Sequence, residues 1–418
     1  MTQIDKNNAI RNAIRATRLK RKSQSCKTFK FKIDKSSLSK SQEESLKMFF
    51  IETKRVYNYL LSETKNNNDL FSYDYKKLKH ITYLDKDKNV IEYDIKHIGS
   101  SVISDTITLM KDSIKGLSAS KKNGNKVGAL KFKSECNRVR LRQYGITHHI
   151  KGQRIKIQGI KKPIRVNGIK QLSKYDNIEY TTADLLYDGY DYFIALTCFI
   201  DKKIKESNNN IVGIDFGCST TITTSDGEKI SVLIEESDRL KGLQKKLASK
   251  VKRSNNWYKT RSKIRKEYNR MNNKKNDVTN KIIHKLTTKY GTIVIQDDQI
   301  NEWKGDKKSK IIQHSILGRL KTKLKDNNNV MILDQWFPTT KHCFQCDTDT
   351  NIDLSQRIYQ CSNCNNIEDR DIHAAKNVIE YYLRYKSVGT LDSKPIKKVS
   401  YNSYKKLCKI GSPMVLDY

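Results

Sequence analysis

The amino-acid sequence predicts a multi-domain α+β protein with a β-barrel carrying a helical insertion in its N-terminal half. A layered α/β domain, interrupted by a cysteine-rich ribbon, is predicted for the C-terminal half. Short segments of period-two alternation between residues 129 and 200 predict the barrel. Strand and helix patterns that alternate between 211 and 385, with two Cys-x2-Cys pairs among them, predict the second domain. At 418 residues and 36% hydrophobic content, the chain can form two to four compact units.

The N-terminal half divides into a basic leader with a first barrel strand (1–35), a helical insertion (36–125) and the rest of the barrel (126–203). Phe29 and Phe31 alternate with Lys30 and Lys32, and this pattern predicts a strand edge that contacts phosphates. Helices are expected at 41–63 and near 96–118. The apolar stripe of the first helix consists of Leu46, Phe49, Phe50, Val56, Leu60 and Leu61.

The C-terminal half divides into an α/β domain in two parts (204–340 and 368–388), a ribbon (341–367) and a tail (389–418). The order of its elements is that of an RNase H-like layered domain. A long basic helical stretch with an apolar seam follows the first three strands, and its lysines and arginines are candidates for lining a phosphate groove. The predicted strands are 211–217, 219–227, 228–234, 292–297 and 329–336, and the predicted helices include 315–325 and 370–385. The seam includes Leu240, Leu243, Leu247, Val251, Trp257, Ile264, Tyr268, Ile282, Ile283 and Leu286.

The charge and the cysteine content limit the classes of function that the sequence can have. The chain has 82 Lys+Arg against 45 Asp+Glu, a formal net charge of +37, which predicts a polyanionic partner such as nucleic acid. No apolar run of about 18 residues and no apolar signal core are found, so we expect a cytoplasmic protein, associated with the nucleoid when bound to DNA, and no membrane contact. Nine cysteines, an odd number, argue against a disulfide framework.

Cys343, Cys346, Cys361 and Cys364 form two Cys-x2-Cys pairs separated by fourteen residues. This spacing predicts a ribbon that binds one Zn2+ through four thiolates. Because four protein ligands leave no open coordination position, we expect the zinc to be structural. The remaining cysteines are expected to be ordinary thiols.

Two aspartates are candidate metal ligands. Asp215 lies within the apolar segment IVGIDFG, where a carboxylate needs a counter-charge, and a divalent cation such as Mg2+ would supply it. Asp371 lies one helical turn before Ala375, and small residues at 374 and 375 allow close helix packing. The alternative for Asp369 or Asp371 is a helix N-cap. Carboxylates around two Mg2+ ions can support phosphodiester hydrolysis.

The motifs IVGIDFG, IVIQDDQINEW, PTTKHCFQC and DRDIHAAKNV, in this order, resemble the TnpB family of transposon-encoded RNA-guided nucleases, related to type V CRISPR effectors. The resemblance is strong over about 210–385. It implies a RuvC-type nuclease domain with Asp215 and Asp371 as first and third acids, and wedge and recognition domains in the N-terminal half. It also implies catalytic Mg2+, a guide RNA and a double-stranded DNA target beside a short motif.

One position departs from the family pattern, because Gln296 stands where the second RuvC acid is usually Glu. Some branches read like QDE at this point, so we predict that Asp298 supplies the missing carboxylate. By strand alternation Asp298 points to the same side as Gln296. Glu302, Glu368 and Glu380 are further candidates.

The sequence therefore predicts an Mg2+-dependent RNA-guided DNA endonuclease. The main alternative, motivated by Gln296, is a nuclease-inactive RNA-guided DNA-binding protein that acts as a transcriptional repressor. A compact CRISPR effector that uses an array-derived guide is a lesser alternative, and a transposase that joins DNA ends is disfavoured by the position of the ribbon. A monomer is expected, although the sequence leaves the oligomeric state open.

Overall fold

The computed structural model describes residues 3–67, 78–85, 89–202, 208–303, 309–353, 356–388 and 398–410. The chain divides into two compact units, Met1–Ile204 and Lys205–Tyr418. The division falls within the polar stretch 201–210, which the sequence marks as a linker. Among the helices of these described ranges, none combines the length and the apolar character that crossing a bilayer requires.

The described residues of the first unit form three α-helices and nine strands. Its helices are α1 (Gln3–Lys22), α2 (Lys40–Asn67) and α3 (Ser100–Lys122). Its strands are β1 (Gln24–Ile33), β2 (His80–Leu84), β3 (Val90–Asp94), β4 (Arg138–Leu141), β5 (His148–Lys151), β6 (Arg154–Ile157), β7 (Ile164–Asn167), β8 (Glu179–Tyr187) and β9 (Tyr192–Asp201).

Seven of these strands form an antiparallel sheet in the order β4-β8-β9-β1-β7-β6-β5. The sheet is nearly closed, because an isolated bridge joins Tyr144, just after β4, to His148 at the start of β5. Strand β1 pairs with β9 from Gln24 to Lys32, whereas its ladder with β7 on the other side covers only Lys32 and Ile33. The prediction of a strand edge is therefore wrong at the end of β1, and the predicted phosphate contact stays a prediction. Phe31 is buried in the core while Lys30 and Lys32 remain exposed.

Helix α2 packs its predicted apolar stripe against this sheet, and all six residues of the stripe are buried. Helices α2 and α3 confirm the two predicted helices. The structure also contains elements that the alternation patterns did not reveal: helix α1 in the basic leader, the β2–β3 hairpin and strand β5. Residues 128–133, predicted as a strand, form none.

The fully buried carboxylate of Glu52 links helix α2 to the segment that precedes α3. Glu52 on α2 accepts hydrogen bonds from the backbone N–H of His97 at 2.9 Å and of Ile98 at 3.0 Å, from the His97 ring at 2.8 Å and from the Tyr93 hydroxyl at 2.9 Å. Burial by itself would raise the pKa of Glu52, but these donors outweigh it and the pKa lies below its ordinary value. The charge therefore fixes the segment that precedes α3.

We predict that Glu52→Gln lowers the free energy of unfolding by about 2 kcal/mol, because an amide presents an N–H group to some of these donors. The pKa of Glu52 is lower in the folded chain than in the unfolded chain. Its charge therefore stabilises the fold at pH values above the unfolded-state pKa, and this stabilisation is lost as the pH falls through the folded-state pKa. Denaturant titrations should show the difference from wild type at neutral pH and its decrease in acid. Glu44→Gln, at an exposed site on the same helix, is the control; equal losses in the two variants would contradict the prediction.

Within its described ranges, the second unit has six α-helices and ten strands. Its helices are α4 (Asp238–Ala248), α5 (Asn255–Lys289), α6 (Ser309–His314), α7 (Leu317–Lys325), α8 (Arg370–Val388) and α9 (Tyr401–Ile410). Its strands are β10 (Ile211–Asp215), β11 (Ile222–Thr224), β12 (Lys229–Ile230), β13 (Thr292–Gln296), β14 (Val330–Leu333), β15 (His342–Cys343), β16 (Thr348–Asp349), β17 (Ile358–Gln360), β18 (Ile367–Asp369) and β19 (Lys398–Val399).

Six strands form a mixed sheet in the order β12-β11-β10-β13-β14-β19. The first three strands pair antiparallel, and β10, β13, β14 and β19 pair parallel. One face packs on α5 and α7, and the opposite face, which includes Val294, packs on Val378 and Tyr381 of α8. Two helical layers thus enclose the sheet.

The basic helices α4 and α5 pack through part of the predicted seam. Leu240, Ile264, Ile282 and Leu286 are buried, whereas Val251 is 79% exposed. The seam prediction is wrong at Val251, because this residue lies in the loop between α4 and α5 instead of on a helix.

Candidate functional site

The four cysteines of the predicted ribbon lie together at the ends of two short hairpins. Cys343 and Cys364 have their sulfur atoms 3.7 Å apart, and those of Cys346 and Cys361 are 3.4 Å apart. All four sulfur atoms lie within 4.8 Å of one another. Zn–S bonds of about 2.3 Å in tetrahedral geometry require sulfur separations near 3.8 Å, so the four thiolates fit one Zn2+ ion.

The ribbon is joined directly to helix α8. Strand β18 ends at Asp369, and α8 begins at Arg370. The ring of Tyr359 on β17 stacks on His373 of α8 at a centroid distance of 3.6 Å. Asn377, one turn further, donates to the backbone carbonyl oxygens of Thr339 at 2.6 Å and His342 at 2.7 Å. The zinc hairpins and the start of α8 therefore form one packed structure.

We predict that Cys361→Ser abolishes stoichiometric zinc binding and lowers the melting temperature of the second unit, because three thiolates and a hydroxyl form a much weaker zinc site. Metal analysis of the purified chain and thermal denaturation measure both effects. Cys26→Ser, at an exposed cysteine outside the cluster, is the matched control. Unchanged zinc content in Cys361→Ser would contradict the prediction.

The predicted acidic residues occupy the ends of neighbouring elements. Asp215 ends β10, and Asp298 follows the end of β13, which pairs parallel to β10 with Ile214 opposite Ile295. Carboxyl ends of parallel strands meet at the same edge of a sheet, so these two aspartates lie at a common edge.

Helix α8 brings the third aspartate to this edge. A Cβ atom added to Gly213 would lie 2.0 Å from the backbone carbonyl oxygen of Ala375, so only glycine permits the observed approach of the helix to β10. Ala374 and Ala375 are buried in this contact. Asp371 lies one turn before Ala375 and is thereby held near Asp215.

Electrostatics show that the three carboxyl groups interact. The pKa of Asp215 is raised well above its ordinary value by burial and by the negative charges of Asp298 and Asp371, against the opposing influence of Arg370. Burial also raises the pKa of Asp298, and Lys321 opposes this rise. The site thus concentrates negative charge that a cation would stabilise.

Several cations that the sequence reasoning missed border the aspartates. Lys321 on α7 is buried with its Nζ 4.0 Å from an Asp298 carboxylate oxygen, and burial lowers its pKa to about 8. Arg370 lies 3.5 Å from one Asp371 carboxylate oxygen, and Arg357 lies 4.0 Å from the other. Lys321 lies on the buried face of α7 with Leu317 and Leu324, at helical spacing. A lysine within an apolar helical pattern is the sequence feature that could have predicted a buried cation here.

Across the described ranges, the four cysteines are the one set of at least three potential ligand residues grouped closely enough to hold a metal ion. The aspartates therefore interact through charge without a closed ligand set. Of the other candidates, Glu368 pairs with Lys376 and lies 3.6 Å from His373, and burial raises the pKa of Glu380. Glu302 lies in a short 3-10 helix after β13 and is exposed. The charges that act on Asp215 are those of Asp298, Asp371 and Arg370.

Gln296 is buried, and hydrogen bonds satisfy both ends of its amide. Its Nε2 donates to the backbone carbonyl oxygens of Phe337 at 2.8 Å and Asp334 at 3.4 Å, and its Oε1 accepts from the Thr339 hydroxyl at 2.9 Å. The carbonyl of Thr339 in turn accepts from Asn377 on α8. A glutamate at 296 would place carboxylate oxygens against two carbonyl oxygens, so this environment favours an amide.

We predict that Gln296→Glu lowers the free energy of unfolding by about 1–3 kcal/mol, since it removes the donor and brings a buried charge toward carbonyl oxygens. Thermal denaturation of the zinc-loaded chain, without added Mg2+, measures this effect and leaves the ribbon intact. Gln299→Glu adds the same charge at an exposed position three residues away and should change stability little. A Gln296→Glu variant as stable as wild type would refute the prediction.

Two segments of the chain match known protein families. Residues 198–304 match the family OrfB_IS605, described as a probable transposase, and residues 314–378 match the TNB domain of Cas12f1-like proteins. These matches cover the mixed sheet up to β13 and the segment from α7 through the ribbon to α8. They confirm the resemblance to the TnpB family.

Two curated proteins are similar in sequence. One, from Streptomyces pristinaespiralis, is named for RNA-guided DNA endonuclease activity and is 28% identical over 208 residues, which cover 47% of this chain and 52% of the relative. The other, InsQ of Escherichia coli strain K12, has a name of the same kind and is 26% identical over 198 residues, 41% of this chain and 48% of the relative. The alignments thus span about half of each relative's length.

A solved structure, described as a cryo-EM structure of the Cas12f1-sgRNA-target DNA complex, contains a similar chain. It superimposes with a TM-score of 0.47 at 12% sequence identity, and the alignment covers 85% of this chain and 99% of that chain.

Proposed function

We propose that this chain, which carries the TnpB-family segments, is an RNA-guided DNA endonuclease whose second unit is a RuvC-type nuclease domain. Under this proposal it binds a guide RNA and hydrolyses a phosphodiester of matching double-stranded DNA beside a short motif. The observation that carries the proposal is that three separate elements bring Asp215, Asp298 and Asp371 to one edge of the mixed sheet, where the charges of Asp298 and Asp371 both act on Asp215. The names of the two curated relatives support the same activity.

The donor set of this cluster fits Mg2+. Hard divalent cations prefer carboxylate oxygens, and the negative charges that raise the pKa of Asp215 are those that such a cation would offset. Asp215 and Asp371 would hold the ion, with Asp298 supplying the carboxylate that Gln296 does not. When bound, Mg2+ supplies an activated water and charge stabilisation of the leaving oxygen.

The protein's own groups organise the rest of the proposed site. Gly213 lets α8 approach the sheet, and this approach holds Asp371 beside Asp215. Arg357 and Arg370 flank Asp371 and are placed to pair with a phosphate of the substrate backbone. Lys321 offsets part of the charge on Asp298 and keeps it oriented through a hydrogen bond to the Asp298 carbonyl.

Nucleic acid is the partner class that the charge supports. A formal net charge of +37 favours binding to the phosphate backbone, and guide pairing would supply the sequence specificity. Zn2+ would hold the ribbon against α8 and would act on the nuclease site only by fixing the start of that helix.

A nuclease-inactive RNA-guided DNA-binding protein is the second candidate function. The observation that favours it is the commitment of the Gln296 amide to structural hydrogen bonds, which leaves this position without a carboxylate. The two candidates share guide and target binding and differ in whether the target strand is cut.

We predict that Asp215→Asn and Asp371→Asn each reduce cleavage at least a hundredfold, because each removes a charged ligand of the proposed Mg2+ site worth several kcal/mol. The test sequences the RNA that copurifies with the chain and incubates the complex with Mg2+ and a plasmid bearing the matching sequence. Asp277→Asn, at an exposed site on α5, is the control and should cut like wild type.

The same assay separates the two candidate functions. Guide-dependent occupancy of an uncut plasmid by wild type would overturn the endonuclease and support the inactive DNA-binding protein. The absence of copurifying RNA would contradict both.

A further inference from the structure

Helix α1 extends from the first unit, and those of its side chains that the structure describes form no buried face. It spans 20 residues, and every side chain from Asn7 to Lys20 is exposed. Ile10 and Ile14 are 58% and 48% exposed. Most helices in proteins are stabilised by packing an apolar face, so a helix exposed all round lacks its usual stabilisation and has a surface available for a partner.

The last turn of α1 fixes the direction of the helix. Arg21 forms hydrogen bonds to both carboxylate oxygens of Glu179, at 2.5 and 3.0 Å, and its guanidinium lies 3.5 Å from the ring centroid of Phe199. Lys20 adds a bond of 2.8 Å to Glu179. These partners lower the pKa of Glu179 to about 2, so the anchor stays charged at neutral pH. The helix is therefore held at one end on the barrel.

The remaining charge lies along one side of the helix. Asn8, Arg11, Arg15, Arg18 and Lys22 follow one another at spacings of three and four residues, which places them in a single stripe. Among the described residues, the three arginines of this stripe have no acidic partner, in contrast to Lys20 and Arg21. At about 1.5 Å per residue the stripe covers roughly 20 Å, along which duplex DNA carries on the order of twelve phosphates.

We propose that α1 is a docking arm for double-stranded DNA that lies in the major groove with its arginine stripe on the phosphate backbone. The major groove of B-form DNA is about 12 Å wide and admits an α-helix, whereas the deep, narrow major groove of an RNA duplex does not. Asn8 extends the stripe with a side chain that can donate to a phosphate oxygen, and Ile14, on the flank of the stripe, offers apolar contact to thymine methyl groups. This arm acts independently of guide pairing and of the carboxylate cluster.

The test compares full-length wild type with the triple variant Arg11→Gln, Arg15→Gln, Arg18→Gln. Each protein, freed of RNA, is titrated with a 20-bp DNA duplex at several salt concentrations. Losing three phosphate contacts should reduce the slope of log affinity against log salt by up to about 3 and the affinity near 0.15 M salt by about tenfold or more. The triple Arg→Lys variant keeps the charge and should retain most of the slope.

Two controls make the result decisive. Lys115→Gln, Lys121→Gln, Lys122→Gln removes three charges from exposed positions on α3, and a fall equal to that of the arginine variant would assign the effect to overall charge and overturn the proposal. Circular dichroism should show unchanged folding, since the substituted side chains are exposed.

Three further results would also overturn the proposal. The first is a triple Arg→Gln variant whose affinity for DNA has the same salt dependence as that of wild type. The second is a loss of affinity only for a double-stranded RNA of the same length. The third is a change in the self-association of the chain with no change in its affinity for DNA. Because cleavage and guide RNA play no part in this assay, its result is independent of the endonuclease proposal.

Discussion

The approach of helix α8 to strand β10 is the constraint on which the candidate nuclease site depends. Gly213 allows it because a side chain there would collide with the backbone of Ala375. The contact joins the start of the mixed sheet to a helix more than 150 residues later in the chain. Two like charges, those of Asp215 and Asp371, are brought together against their repulsion, and the packing of Val378 and Tyr381 on the sheet stabilises this arrangement.

The cysteine ribbon supports the same contact, because it packs on the start of α8, where Asp371 also lies. Its second hairpin runs into the helix without a loop, and Tyr359 stacks on His373. Gln296, Thr339 and Asn377 continue the link through hydrogen bonds from β13 to the helix. The ribbon, β13 and the start of α8, which carries Asp371, thus form one continuous packed structure.

The basic residues of the chain fall into two physical classes. Some are paired with acids, such as Lys321 with Asp298 and Arg21 with Glu179. These cations stabilise the fold locally or lower the pKa of the acid that they contact. Others, such as the arginine stripe of α1, lie exposed on one side of an element. The paired cations add little to the field that a polyanion experiences, whereas the exposed stripe adds its full charge. The proposed binding of nucleic acid therefore depends on a subset of the 82 lysines and arginines.

The sequence by itself predicted the cysteine cluster, the buried helix stripe of α2 and the main strands of both units, and the structure confirms these features. Each of them depends on local spacing, since a Cys-x2-Cys pair or an apolar stripe is fixed by neighbours in the chain. Motif resemblance also pointed to Asp215 and Asp371 as metal ligands, and this assignment stays a prediction. Tertiary structure alone decided that β1 lies inside the barrel, that Glu52 binds the segment before α3, and that the Gln296 amide is committed to residues 334–339. These features join positions about 40 to 170 residues apart, and local periodicity carries no information on which distant groups pair.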